Sequence, residues 1–271
     1  MQRQSGLARF LATAAITAML AASLGGCQTM GDVAGALTSS ADSPSREADP
    51  QRATEYYGDR YRANPKDADA ALAYGQALRA NGQRAQAAAV FEQACISSPG
   101  NKALLAGWGR ALADNGNFQQ AFDVLSRAHS PDNPDWRILS VQGTALDQLG
   151  RHEEARRYYD SALRIVPGEP TVLSNLGLSY MLTKNLPKAE EALRQAYASG
   201  RADARVRQNL ALVIGLQGRF AEAEQIVRAD LPPDEATANV AYLKQMLNRS
   251  KDDPRAGAAG KMPLASLSRP E

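Results

Sequence analysis

The sequence predicts an all-α protein, a solenoid of antiparallel helix pairs with a repeat of about 34 residues. The first observation is a column of alanines at this interval without a gap: Ala53, Ala87, Ala121, Ala155, Ala189 and Ala223. The second is a column of small residues in the same register: Gly75, Gly109, Gly143, Gly177 and Ala211. The third is a column of large residues: Tyr57, Phe91, Leu125, Tyr159, Leu193 and Val227.

Each column has a physical role in a helix pair. Glycine inside a helix costs about 1 kcal/mol relative to alanine, a cost that close helix packing compensates. The large residues fill the space toward the neighbouring helix. A turn column, mostly glycine, separates the two helices of each unit: Gly82, Gly116, Gly150, Lys184 and Gly218. Prolines end several second helices before the next unit begins: Pro65, Pro99 and Pro167.

Composition argues against a nucleic-acid ligand. The formal net charge is +2, and Arg3 and Arg9 in the first 26 residues account for that excess. The rest of the chain carries equal numbers of basic and acidic residues, so no basic surface is predicted. The two cysteines, Cys27 and Cys95, imply no disulfide framework.

The N-terminus reads as a bacterial export signal over residues 1–26. A positively charged start is followed by an uncharged apolar run, Leu11 to Leu24, which is shorter than the roughly 20 residues of a membrane-spanning helix. Leu24-Gly25-Gly26-Cys27 resembles the lipobox of bacterial lipoproteins. That resemblance implies diacylglycerol on the Cys27 thiol, whereas an ordinary signal peptide with an incidental cysteine is the alternative. Gln28 in place of aspartate implies the periplasmic face of the outer membrane.

The rest of the chain divides into a tether, a helical array and a tail. Residues 27–45 hold the acylated cysteine and a Gly-, Ala- and Ser-rich tether. We expect the array over 46–249 and a disordered tail over 250–271. Asn101 and Asp135 are expected helix N-caps. The expected parts of the array are a half-repeat at 46–65, units at about 68–99, 101–130, 135–167, 169–199 and 203–230, and a capping helix at 234–248.

The repeat pattern resembles the tetratricopeptide-repeat (TPR) family over about residues 46–230. The third unit shows the family spacing at Leu139, Gly143, Leu146, Ala155, Tyr159, Ala162 and Pro167. The fifth unit departs from it, with Asp230 where the family prefers a small residue. The resemblance implies a right-handed superhelical solenoid of antiparallel helix pairs. It also implies a concave groove, lined by the first helix of each unit, that binds an extended peptide or a partner's helix.

The repeat register selects candidate groove residues. Asn175 and Asn209 stand one repeat apart, and an amide there can both donate to and accept from a peptide backbone. The arginines could instead pair with a partner's carboxylates or be solvated. The polar residues expected to face the groove are Gln76, Arg79, Arg110, Arg137, Asn175, Arg205, Gln208 and Asn209.

No catalytic or metal-binding pattern stands out in the sequence. His129 and His152, the only histidines, lack metal-ligand spacing and are expected to be solvated. Gly107-Trp108-Gly109 lies inside a predicted helix and not after a strand, so it is not a phosphate loop. We therefore predict no enzymatic activity, no cofactor, no metal site and no small-molecule substrate.

A signal peptide, lipobox, short tether and five to six TPR units together resemble the TadD family, lipoproteins of the tight-adherence (Flp) pilus system. The C-terminal stretch 236–247, after Asp230-Leu231-Pro232-Pro233, looks like the end of such sequences. The resemblance implies a pilotin-like scaffold whose protein partner is a secretin or another pilus-assembly component. The alternatives are an envelope scaffold similar to BamD, a regulator of peptidoglycan enzymes, and a module that recruits a hydrolase.

Overall fold

The computed structural model describes residues 49–130 and 132–252, and in these the chain is all α-helical, as predicted. An isolated bridge between Ser130 and Asn133 is the one β-type contact there. The helices are α1 Pro50–Ala63, α2 Ala68–Ala80, α3 Arg84–Ser97, α4 Lys102–Asp114, α5 Phe118–Ala128, α6 Trp136–Gln148, α7 His152–Ile165, α8 Pro170–Leu182, α9 Leu186–Ala198, α10 Ala204–Leu216, α11 Phe220–Val227 and α12 Pro233–Asp252.

Polar side chains fix the starts of the first helices. The Asn101 side chain accepts hydrogen bonds from the backbone N–H groups of Ala103 and Leu104, at 3.0 and 3.2 Å. Asp135 accepts from the N–H of Arg137 at 2.7 Å. Both predicted caps are therefore confirmed, and each satisfies backbone donors that a helix start leaves without partners.

Helices pack in sequence order, and the first helices of successive units also contact one another. Thus α2, α4, α6, α8 and α10 form one continuous inner row. The candidate groove is the surface formed by the side chains of this row. Helix α12 packs on both α10 and α11, in the place that the first helix of a further unit would take. It continues beyond the expected end at residue 248, because no proline or glycine interrupts the chain before Pro254.

The small-residue column allows this close packing. A Cβ atom added to Gly75 of this column would lie 2.4 Å from the Phe91 ring, and one added to Gly107, a glycine of α4 outside the column, would lie 2.5 Å from the same ring. The ring is fully buried between α2 and α4. These glycines therefore permit helix contacts that any side chain would obstruct.

The turn column has a conformational explanation. Gly82, Gly116, Gly150 and Gly218 all adopt positive φ angles, between 73° and 85°. Lys184 occupies the same column with φ 61° and is the one non-glycine residue with positive φ among those described. A side chain in this conformation costs roughly 1–2 kcal/mol.

Replacing Lys184 by glycine should therefore stabilise the fold. We expect Lys184→Gly to raise the free energy of unfolding by up to about 1 kcal/mol, since glycine's larger unfolded-state entropy offsets part of the relieved strain. Thermal melting followed by circular dichroism measures the change. The matched control is Gly150→Ala, which has open space around the added Cβ and should destabilise through φ alone. Equal melting temperatures for all three proteins would contradict this explanation.

Several predictions concern residues outside the described ranges. The export signal at 1–26, Cys27, the tether through residue 45 and the tail beyond residue 252 all lie there, so they remain predictions. In the described residues, no helix combines the length and the apolar character needed to cross a bilayer.

Candidate peptide-binding groove

Four of the predicted groove residues meet in one cavity on the inner row, between α8 and α10. Asn175 comes from α8, whereas Arg205, Gln208 and Asn209 come from α10. The cavity has a volume of about 190 Å³, which is smaller than the roughly 300–1,000 Å³ of typical small-molecule pockets. It is also lined by Thr171, Ser174, Leu178, Asp203, Val206 and Leu212.

The two asparagines form a repeated contact with the preceding unit. Asn175 Nδ2 donates to Ser140 Oγ on α6 at 3.1 Å, and Asn209 Nδ2 donates to Ser174 Oγ on α8 at 3.0 Å. Both serines are buried, whereas both asparagines are half-buried at the cavity wall. One amide hydrogen of each asparagine is used within the protein, so each side chain keeps its Oδ1 acceptor and its second N–H for a ligand.

Ser140 and Ser174 were not predicted from the sequence to be part of this arrangement. They stand one repeat apart, and each lies 35 residues before its asparagine. This spacing was visible in the sequence. It became meaningful only when the structure showed that position n of one first helix faces position n + 35 of the next.

One end of the cavity carries an ion pair. Asp203 caps α10 by accepting from the N–H of Val206 at 3.0 Å, and Arg205 Nε donates to its other oxygen at 3.2 Å. Partial burial acts to raise the pKa of Asp203, but these hydrogen bonds, together with the Arg205 charge, lower it. The carboxylate is therefore charged at neutral pH and neutralises Arg205.

The structure does not bring Arg110 and Arg137 into this cavity. They lie on α4 and α6, at the opposite half of the inner row. Arg137 is exposed, and its guanidinium carbon lies 4.5 Å from the centroid of the Trp136 ring. Arg110 is half-buried, and its pKa is lowered, first by burial and then by the neighbouring Arg79 cation.

The histidines are not solvated as expected. His152 Nδ1 lies 2.8 Å from Asp147 Oδ1, and Asp147 is buried. Nε2 of His129 lies 3.1 Å from Oε1 of the buried Gln142, whereas its Nδ1 is buried without a hydrogen-bond partner. Helix starts and ends looked exposed in the sequence, but in a solenoid they pack against the next unit.

Asp147 contacts Ser179 and His152, so the three residue types of a catalytic triad lie together. Their hydrogen bonds do not connect them as catalysis requires. The Ser179 hydroxyl donates to Asp147 Oδ1 at 2.8 Å, not to His152. A nucleophilic serine needs its hydroxyl on the base, and Ser179 is fully buried. The arrangement is therefore a structural hydrogen-bond network. Among residues 49–130 and 132–252, no three His, Cys, Asp or Glu side chains are placed to hold a metal ion.

Family models match most of the described array. Models described as tetratricopeptide repeat match residues 106–170, 146–213 and 204–229. A model described as anaphase-promoting complex, cyclosome, subunit 3, matches residues 51–128. A comparison with curated protein sequences found no match.

Solved structures share the fold at low sequence identity. The chain is similar to PilW, titled a widely conserved type IV pilus biogenesis factor, with TM-score 0.64, 20% identity, and coverage of 73% of this chain and 93% of that one. Pseudomonas aeruginosa pilF gives TM-score 0.57 and 15% identity, covering 72% of this chain and 90% of that one.

A third similar structure is the APC/C hetero-tetramer Cut9-Hcn1, with TM-score 0.62 and 18% identity. The match covers 78% of this chain but only 42% of that one. These likenesses establish the solenoid of helix pairs, and the family models agree with the residue columns. Over the residues that the repeat models match, the chain belongs to the tetratricopeptide-repeat family.

Proposed function

We propose that this protein is a lipid-anchored envelope scaffold whose groove binds a peptide segment of a pilus-assembly protein, with a secretin as the first candidate. The observation that carries the binding role is the pair of asparagines held by serines at the wall of the α8–α10 cavity. The pilus assignment is supported by the TadD-like sequence features. PilW, described as a pilus biogenesis factor, has a similar fold.

The cavity suits a peptide backbone. Asn175 and Asn209 each present Oδ1 as an acceptor for a backbone N–H of the ligand. Leu178, Val206 and Leu212 supply apolar contact between these polar groups. An extended segment alternates backbone donors and side chains, so it can use both kinds of surface at once. The proposed activity is therefore non-covalent peptide binding.

The anchor is proposed to be lipid on Cys27. Each buried CH₂ contributes roughly 0.8 kcal/mol, and two or three acyl chains anchor a protein stably. The tether after Cys27 would separate the array from the membrane surface. The proposed location is the periplasmic face of the outer membrane, where a secretin would be within reach.

Crosslinking in the native cells tests the assignment. The tagged full-length protein is crosslinked, the outer membrane is isolated, and the captured proteins are identified by mass spectrometry. We expect a secretin together with other pilus-assembly proteins. Recovery of barrel-assembly proteins or peptidoglycan enzymes instead would overturn the pilus role and favour the alternative scaffolds.

The groove itself is tested by Asn175→Ala combined with Asn209→Ala. We expect capture of the partner to fall at least about ten-fold, because two hydrogen bonds of about 1 kcal/mol each are lost. The matched control is Gln93→Ala with Gln120→Ala, which removes two exposed amides from second helices. Melting curves verify that both proteins are folded. Equal capture by the asparagine variant and its control would contradict the groove assignment.

A further inference from the structure

Three arginines come together on the inner row at the half of the groove away from the cavity. Arg79 of α2 reaches across to α4, where its Nε and one terminal nitrogen each lie 2.7 Å from Asp114 Oδ2. Asp114 is one helical turn after Arg110 on α4, so the Arg79 guanidinium lies beside that turn. Arg137 stands at the start of α6, which packs on α4. We call Arg79, Arg110 and Arg137 the arginine cluster.

The repeat register places Arg110 and Arg137 in the same groove as the cavity. Steps of 34 residues carry Arg110 onto Leu178 and Leu212, and they carry Arg137 onto Thr171 and Arg205. All four of these equivalent residues line the α8–α10 cavity. Arg110 and Arg137 are therefore the counterparts, two units earlier, of Leu178 and Arg205 in the wall on which the proposed function rests.

The cluster lacks one negative charge. Two carboxylates lie within its field: Asp114, which Arg79 holds, and Asp135, which caps α6. In the described part of the chain, Arg110 makes no hydrogen bond or ion pair, although it is half-buried. Burial and the charges of Arg79 and Arg137 lower the pKa of Arg110, whereas Asp135 and Asp114 oppose this. Half-burial removes part of the water that would solvate the Arg110 cation, and a third carboxylate would compensate for that loss.

We infer that the arginine cluster binds an aspartate or glutamate side chain in an acidic segment of the partner protein, with Arg110 as the principal contact. This inference rests on the proposed function. It adds a chemical requirement to that function, since the ligand segment has an acidic part over α2–α6 and a neutral part over α8–α10. A carboxylate fits because Arg79 of the same cluster already binds one, that of Asp114. The planar guanidinium also matches the two oxygens of a carboxylate.

The test uses fluorescein-labelled hexaglutamate as the probe and the purified full-length chain in detergent. Fluorescence anisotropy should show saturable binding that weakens as salt rises from about 0.05 to about 0.5 M, since ions screen such contacts. Labelled hexaglutamine should bind at least about ten-fold more weakly. Arg110→Gln should weaken hexaglutamate binding about ten-fold or more, and Arg110→Lys should recover part of the loss because it keeps the charge.

Arg84→Gln is the matched control, because it removes one positive charge from an exposed position on the second helix α3. It should leave hexaglutamate binding unchanged, and circular dichroism verifies that each variant is folded. Three outcomes would overturn the inference: equal binding of both peptides, equal effects of Arg110→Gln and Arg84→Gln, and no saturable binding up to about 1 mM.

The two proposals fail in different experiments. If hexaglutamate binds through Arg110 but native cells yield no pilus proteins, the acidic-segment inference stands and the pilus role fails. If a secretin is captured equally by the wild type and Arg110→Gln, the pilus role stands and the arginine cluster is not its contact.

Discussion

Asp147→Ala should lower the free energy of unfolding by about 2–5 kcal/mol, because each buried donor that loses its acceptor costs about 1–3 kcal/mol. Asp147 Oδ1 accepts from Ser179 and lies 2.8 Å from His152 Nδ1. Its Oδ2 accepts from the Tyr159 hydroxyl at 2.9 Å. The network joins α6, α7 and α8, so its loss weakens the junction between the third and fourth units.

The expected cost comes from groups that stay buried after the change. Ser179 and Tyr159 are at most 1% exposed, so water cannot replace the lost carboxylate. Burial and then the Asp147 charge raise the pKa of Tyr159 well above its ordinary value. The Tyr159 hydroxyl therefore remains a neutral donor, and the alanine variant leaves it only Thr144 Oγ1, at 3.3 Å.

Urea denaturation followed by circular dichroism measures the loss. Hydrogen exchange then locates it in α6–α8, since repeat arrays unfold in parts. Asp147→Asn keeps the size and one acceptor, so it should cost clearly less. Asp160→Ala on the same α7 is exposed and serves as the control. If Asp147→Ala matches that control, the network does not stabilise the junction between these units.

The fold was predictable because its main signal is periodic. Six alanines in one register require a repeating unit, and Asn101 and Asp135 needed only local chemistry to be recognised as caps. Even Lys184 could be placed in the turn column. Its positive φ angle follows from its glycine counterparts in the other units.

The site was less predictable because it depends on contacts between units. The position of Asn175 in the repeat register made it a candidate groove residue. Its contact with Ser140 could not be predicted, because it depends on how far α8 is displaced along α6. Arg110 looked like Arg137 in the sequence. The structure separates them, since only Arg110 is both half-buried and without a partner among the described residues. His152 was predicted to be solvated because nothing in the local pattern indicates that Asp147 is buried beside it.

Gly109→Ala should destabilise the protein by about 1–3 kcal/mol, and Leu125→Val should remove much of that cost. A Cβ added to Gly109 would lie 2.4 Å from Leu125 Cγ, whereas the nearest backbone atom, Ala121 O, is 3.4 Å away. The clash is therefore with one side chain, and overpacking of this kind typically costs about 1–3 kcal/mol.

The chain itself contains the compensated pair. The fifth unit has Ala211 where the others have glycine, and its partner 16 residues later is Val227, the smallest member of the large-residue column. Gly109→Ala with Leu125→Val reproduces that pair in the second unit. We expect the loss of unfolding free energy in the double variant to be smaller, by about 1–2 kcal/mol, than the sum of the losses in the two single variants.

A matched cycle separates size compensation from general destabilisation. Gly109→Ala combined with Leu193→Val changes the same residue types, but Leu193 lies on α9 and packs against Gly177 in the fourth unit. These two changes should be additive, because they share no contact. If both double variants are additive, the glycine and large-residue columns are independent. If Leu125→Val rescues Gly109→Ala and Leu193→Val does not, the combined size of the two facing side chains sets the distance between the helices of a unit.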